Sequence, residues 1–107
     1  MDIQVTARHF NASAELIENM RRKIEKLRKF HQGIIGANVV LEAKLERVRK
    51  VDLTLSIPDK TIAVSAEEEN MGKAIDAALE RMKRQLVKEN EKQKMFKAIP
   101  LTDAVGG

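Results

Sequence analysis

No cysteine occurs in the chain, which excludes a disulfide framework, a thiolate nucleophile and a cysteine-based zinc site. Tryptophan and tyrosine are missing too, leaving Phe10, Phe30 and Phe96 as the aromatic residues. A sheet that reads unstacked bases needs aromatic rings on its open face, and these three cannot furnish one. His9 and His31 lack metal-ligand spacing; they read as a strand-end residue and a helix-end cation. Gly33 and Gly36 are too sparse for a phosphate-cradling loop and read as the stop that ends a helix. Ser13 reads as a helix cap with no base beside it to make it a nucleophile. No apolar run approaches the ~20 residues of a membrane span, and the first residues lack the charged-then-apolar order of a signal peptide. These absences predict a cytoplasmic protein that is not an enzyme, with no cofactor, no metal, no small-molecule substrate and no membrane partner.

What is present is charge, unevenly placed. The chain has 107 residues, 34% of them charged, with a formal net charge of +4. That length suits one domain with a modest core. Residues 21–29 hold Arg21, Arg22, Lys23, Lys26, Arg28 and Lys29 against the single acid Glu25. Residues 81–97 are also strongly basic, with Glu89 and Glu91 as their acids, and Glu67, Glu68 and Glu69 gather negative charge elsewhere. Segregation of this kind suits a polyanionic partner.

The long helix predicted over residues 70–97 organises the rest. Ile75, Ala78, Leu79, Met82 and Leu86 recur at spacings of three and four, placing them on one face. Arg81, Arg84, Lys88 and Lys92 fall together on the opposite side of the wheel and form a ridge about 16 Å long at 1.5 Å rise per residue. After Leu86 the apolar face would continue through Glu89, Asn90 and Gln93, so the last turns are predicted to bury nothing.

Earlier in the chain, residues 2–8 alternate with Ile3, Val5 and Ala7 on one side, the pattern of a half-buried strand. Ser13 then caps a helix over residues 14–30. Its apolar stripe is Leu16, Met20, Ile24 and Leu27, and its far side carries Arg22, Lys26 and Lys29, with Lys23 between that ridge and the core. A second strand alternates through Val39, Leu41, Ala43 and Leu45. A polar turn over residues 46–50 leads to a third strand with Val51, Leu53, Leu55 and Ile57 inward. Pro58-Asp59-Lys60 makes a turn, a fourth strand buries Ile62, Val64 and Ala66, and Asn70 caps the second helix. Met20, Met71, Met82 and Met95 stand mostly at core spacing and read as packing. The predicted order is β-α-β-β-β-α. Strands one and two would be parallel through the helical crossover and strands two to four an antiparallel meander. The fold class is α+β, a four-stranded mixed sheet with both helices on one face. Residues 1–97 form the single domain and residues 98–107 a flexible tail.

The segment Asn70-Met71-Gly72-Lys73-Ala74-Ile75-Asp76, followed by Arg81-Met82-Lys83-Arg84-Gln85-Leu86 and Lys88, resembles the signature of the ribosome hibernation promoting factors. That family includes the ribosome-associated inhibitor A proteins, also called sigma-54 modulation proteins. Ser13-Ala14-Glu15-Leu16 with Lys23, Lys26-Leu27 and Lys29-Phe30 is similar to the family's first helix, and the likeness covers about residues 1–93. The departures are Asn70 for the usual Asp and Gly72 for the usual Tyr. The second removes an aromatic contact and weakens the helix start by up to ~1 kcal/mol. No additional C-terminal dimerisation domain follows, so the chain resembles the short form, expected to be monomeric when free.

The resemblance implies a non-enzymatic factor for ribosome hibernation and translation inhibition under stationary phase or stress. Such a factor binds rRNA of the small ribosomal subunit in the mRNA–tRNA channel. It assigns the rRNA contacts to Arg22, Lys23, Lys26 and Lys29 of the first helix and to Arg81, Lys83, Arg84, Lys88 and Lys92 of the second. The alternative is a protein-binding regulator of transcription whose basic helices meet an acidic protein surface.

Overall fold

A computed structural model describes the backbone of residues 2–106 and the side chains of residues 2–91. The elements are β1 (Asp2–Arg8), α1 (Ala14–Lys26), a 3-10 turn (Leu27–Lys29), β2 (Gly36–Leu45), β3 (Val48–Ile57), β4 (Lys60–Glu68) and α2 (Met71–Gly106). The strands form one sheet in the order β1-β2-β3-β4. β1 runs parallel to β2, whereas β2–β3 and β3–β4 are antiparallel. This is the β-α-β-β-β-α arrangement that alternation and helical spacing predict. The expected flexible tail at 98–107 lies outside the residues whose side chains are described.

The core follows from strand parity. Val39, Leu41, Val51, Leu53 and Leu55 are fully buried on the two central strands, which have neighbours on both sides and a helical layer above. Met20 and Ile24 of α1 and Ala74, Ala78, Met82 and Leu86 of α2 complete the same cluster, so both helices cover one face of the sheet. Parity weakens toward the rim: Ala7 is exposed and Leu45 is 71% exposed although both fall on the inward side. Both lie at strand ends, at the rim of the buried cluster.

Local signals place the element ends. The Ser13 hydroxyl accepts from the Leu16 N–H at 3.0 Å, and Asn70 Oδ1 accepts from the Lys73 N–H at 3.2 Å, each satisfying an otherwise orphaned first-turn donor. In the β3–β4 hairpin, Pro58 fixes one dihedral and Asp59 takes φ 73°, a left-handed conformation that Asp tolerates better than most residues. The other hairpin is tighter than its composition predicts. The turn is Glu46-Arg47 alone, and Val48, Arg49 and Lys50 already belong to β3. Arg49 explains this, because its guanidinium donates to the carbonyls of Leu45, Glu46 and Val48 at 3.1–3.4 Å and closes the loop from inside.

Three further expectations are corrected. α1 does not run regularly to Phe30; it tightens into the 3-10 turn at Leu27, and the Phe30 N–H bonds the Leu27 carbonyl at 2.9 Å. His31 is not at the surface. It is 6% exposed, and its Nδ1 accepts from the Gly33 N–H at 2.9 Å, an arrangement available to an unprotonated nitrogen. Gly33 does not adopt positive φ. Its need is for space, because a Cβ there would lie 3.0 Å from both His31 Cε1 and Pro58 Cδ. Replacing Leu53, fully buried at the sheet centre, with Ala is expected to lower unfolding free energy by roughly 2–5 kcal/mol, read as a lower urea midpoint with the m-value retained.

Candidate nucleic-acid interface

The helical layer presents the basic residues, and two contacts fix how its helices lie. Lys23 of α1 pairs with Asp76 of α2 at 3.2 Å. The Lys83 ammonium of α2 sits 5.2 Å from the centroid of the Phe30 ring, a cation–π geometry. Lys23 to Asp76 and Phe30 to Lys83 each span 53 positions, so α1 and α2 advance side by side in the same direction. Asp76 and Lys83 therefore mark the flank of α2 that faces α1.

Arg81 marks the other flank. Its guanidinium donates to the backbone carbonyl of Ser65 in β4, so this side chain bends down to the sheet edge. Arg84 and Lys88 follow at helical spacings of three and seven, on the side of α2 away from α1. The expected single row from Arg81 to Lys88 is thus bent at its start: Arg81 grips the sheet while Arg84 and Lys88 project. Lys92 lies outside the residues whose side chains are described.

The cations differ in what already engages them. Arg22 donates to Asn19 Oδ1 at 3.1 Å, Lys23 holds Asp76, and Arg84 lies 3.6 Å from Glu80. These contacts are exposed, with Arg84 itself 76% exposed. Exposed pairs contribute about 0–1 kcal/mol, so a denser array of phosphates can displace them. Lys26, Lys29 and Lys88 are exposed and have no ion-pair or hydrogen-bond partner among the described residues. Lys83 and Arg81 differ from these in their partners, a ring and a backbone carbonyl, and like Lys23 they hold one element on another.

The open face of the sheet is unlike the helical layer. Register aligns Arg8, Glu42, Lys50 and Glu67 in one row across the four strands, alternating in sign. Lys44 reaches Glu67 at 3.4 Å, Lys50 lies 3.9 Å from Asp52, and the Ser65 hydroxyl donates to Asp52. By strand parity Arg8, Lys44 and Lys50 share this face with Asp2, Glu42, Asp52 and Glu67, so it offers no excess positive charge to a polyanion. The excess sits on the helices. The Glu80–Arg84 pair, not among the expectations from sequence, stands at a spacing of four that could have revealed it, whereas Asp76 as partner to Lys23 and Ser65 as partner to Arg81 depend on tertiary placement.

Among the described residues no group of three or more His, Asp or Glu side chains could hold a metal ion, and no described helix is long and apolar enough to cross a membrane.

Comparison with known proteins agrees with this geometry. Residues 3–94 match the model of a family described as Sigma 54 modulation protein / S30EA ribosomal protein. A ribosome hibernation promoting factor from Pseudomonas putida is 31% identical over 94 residues, covering 87% of this chain and 90% of its own. The protein of that name from Escherichia coli K12 is 33% identical over 95 residues, covering 88% of this chain and 98% of its own. Among solved structures, a ribosomal subunit interface protein from Coxiella burnetii superposes with a TM-score of 0.79 at 24% identity, covering 85% of this chain and 99% of that one. It shares the fold. On the match over residues 3–94, the chain belongs to the Sigma 54 modulation protein / S30EA ribosomal protein family.

Proposed function

We infer that this protein is a ribosome hibernation factor that binds rRNA of the small subunit through its helical layer and blocks the mRNA–tRNA channel. One observation carries the reading: relatives named ribosome hibernation promoting factor align over almost the whole domain, including both basic helices. The mechanism is steric and electrostatic. The four-stranded sheet keeps α1 and α2 in a fixed relation, and their cations replace counterions condensed on rRNA phosphates. The domain then occupies space that tRNA and mRNA need. No bond is made or broken.

The contact set is graded by what each side chain already does. Lys26, Lys29 and Lys88 meet phosphates without giving anything up. Arg22, Lys23 and Arg84 exchange weak surface partners for stronger ones. Arg81 and Lys83 contribute less directly, since each is held by a partner other than an exposed carboxylate, the Ser65 carbonyl and the Phe30 ring. The family resemblance adds Lys92 to the set. A protein-binding role against an acidic partner would use the same face; binding to subunits or to an acidic protein separates the two.

Binding to small subunits is expected to weaken steeply with salt, with a log–log slope of about −4 to −5 for about six phosphate contacts. Lys26→Ala and Lys88→Ala should each make that slope shallower by about 0.7–0.9. Arg81→Ala should leave the slope nearly unchanged and lower folding stability by about 1 kcal/mol. Titrations of labelled protein into purified subunits at several salt concentrations read the slopes, and urea melts read the stability. The double variant Arg84→Glu with Lys88→Glu should abolish co-sedimentation with ribosomes while circular dichroism stays native. Undiminished co-sedimentation would remove α2 from the interface, and tight binding to an acidic protein with none to subunits would support the transcriptional alternative.

A further inference from the structure

The sheet has two free edges, and the chain treats them differently. On β4, register pairs Ser65 with Asp52, and the Ser65 carbonyl, pointing away from β3, is taken by Arg81. Charged Lys60, Glu67 and Glu68 also lie along that strand. Occupied carbonyls and charges are the usual protection of an edge against further pairing.

β1 has no such protection. Its sequence is Asp-Ile-Gln-Val-Thr-Ala-Arg, five uncharged residues between one acid and one base. The Asp2 N–H bonds the Ile35 carbonyl at 3.3 Å, and Asp2 is in register with Gly36. In a parallel ladder alternate residues bond the neighbour, so Asp2, Gln4, Thr6 and Arg8 turn their backbone groups toward β2. Ile3, Val5 and Ala7 turn theirs outward, and among the described residues nothing bonds them.

We propose that two copies of this chain pair antiparallel along β1 about a two-fold axis at Val5, joining two four-stranded sheets into one of eight strands. The sequence is self-complementary in that register. Ile3 lies opposite Ala7 of the second copy, and Val5 opposite its own equivalent. These are the outward-facing residues, so three hydrogen-bonded pairs form with six N–H···O bonds. Asp2 lies opposite Arg8 of the second copy, twice by symmetry, in the closer non-hydrogen-bonded positions. A slip of two residues in either direction loses both ion pairs, and a parallel pairing sets like charges together. On the helical side, Val5, which is half-buried, and Ala7, which is exposed, gain apolar neighbours. The second copy fits this edge better than an arbitrary strand because each end of β1 meets the opposite charge. The joint is small, so dimer population depends on concentration. It is independent of rRNA binding, since the cationic helical face stays open.

Sedimentation equilibrium of the whole chain from about 10 µM to about 1 mM, a range that spans weak association, tests it. The expected result is a reversible monomer–dimer equilibrium. Val5→Pro removes an outward N–H without touching the β1–β2 ladder and should lower the association constant at least tenfold. Arg8→Asp should lower it similarly by facing Asp2 with a second acid, and Asp2→Arg combined with Arg8→Asp should restore it. A monomer throughout the range overturns the proposal, as does a dimer indifferent to the charge reversal. If Val5→Pro loses native circular dichroism, reversal and rescue at the chain-end pair decide the matter.

Discussion

Burial of Met82 and Leu86 under α2, and of Met20 and Ile24 under α1, against the apolar side of one sheet is the constraint on which the rest depends. Each helix has a single apolar stripe and must spend it on the sheet. Once it does, the charged sides of both helices have nowhere to go but outward, next to one another. α1 would not hold its charges in a fixed pattern alone, since surface cations repel and an isolated helix of 13 residues is marginal. The hydrophobic layer beneath supplies the free energy that keeps like charges together.

That layer also makes some cations structural. Arg81 reaches the Ser65 carbonyl and Lys83 covers Phe30, so α2 is fastened on one flank to β4 and on the other to the end of α1. Beyond Leu86, Glu89 meets Lys60 of the β4 hairpin at 2.9 Å and is 14% exposed. The turn of α2 that lacks apolar residues is thus held by a half-buried ion pair. This departs from the expectation that nothing past Leu86 would be bound to the domain. A polar residue in helical register with an apolar stripe can still pack where a tertiary partner exists, and spacing alone does not reveal the partner.

Alternation and helical spacing made the architecture legible, because burial imposes a period of 2 on strands and 3.6 on helices. Caps were legible for the same reason: Ser13 and Asn70 act on residues three positions away. What stayed hidden required knowledge of distant neighbours. His31 reads as an exposed helix-end residue until it is seen buried, with its Nδ1 taken by the Gly33 N–H. Residues 48–50 read as a turn until Arg49 folds back onto three carbonyls. Of the candidate site, the sequence located the cations on two helices. It did not divide them into free lysines, exposed pairs such as Lys23–Asp76 and Arg84–Glu80, and the two held by a carbonyl and a ring.

The parallel pairing of β1 with β2 has a consequence for the order in which the domain assembles. The meander closes through neighbours such as Ile57 and Lys60, whereas Asp2 must find Gly36 across a helix. Closing the larger loop costs more chain entropy before any contact rewards it. During synthesis the first strand and helix emerge before any strand exists to receive them. The amino-terminal third of the chain therefore waits, its apolar stripe uncovered, until translation reaches the residues that shelter it.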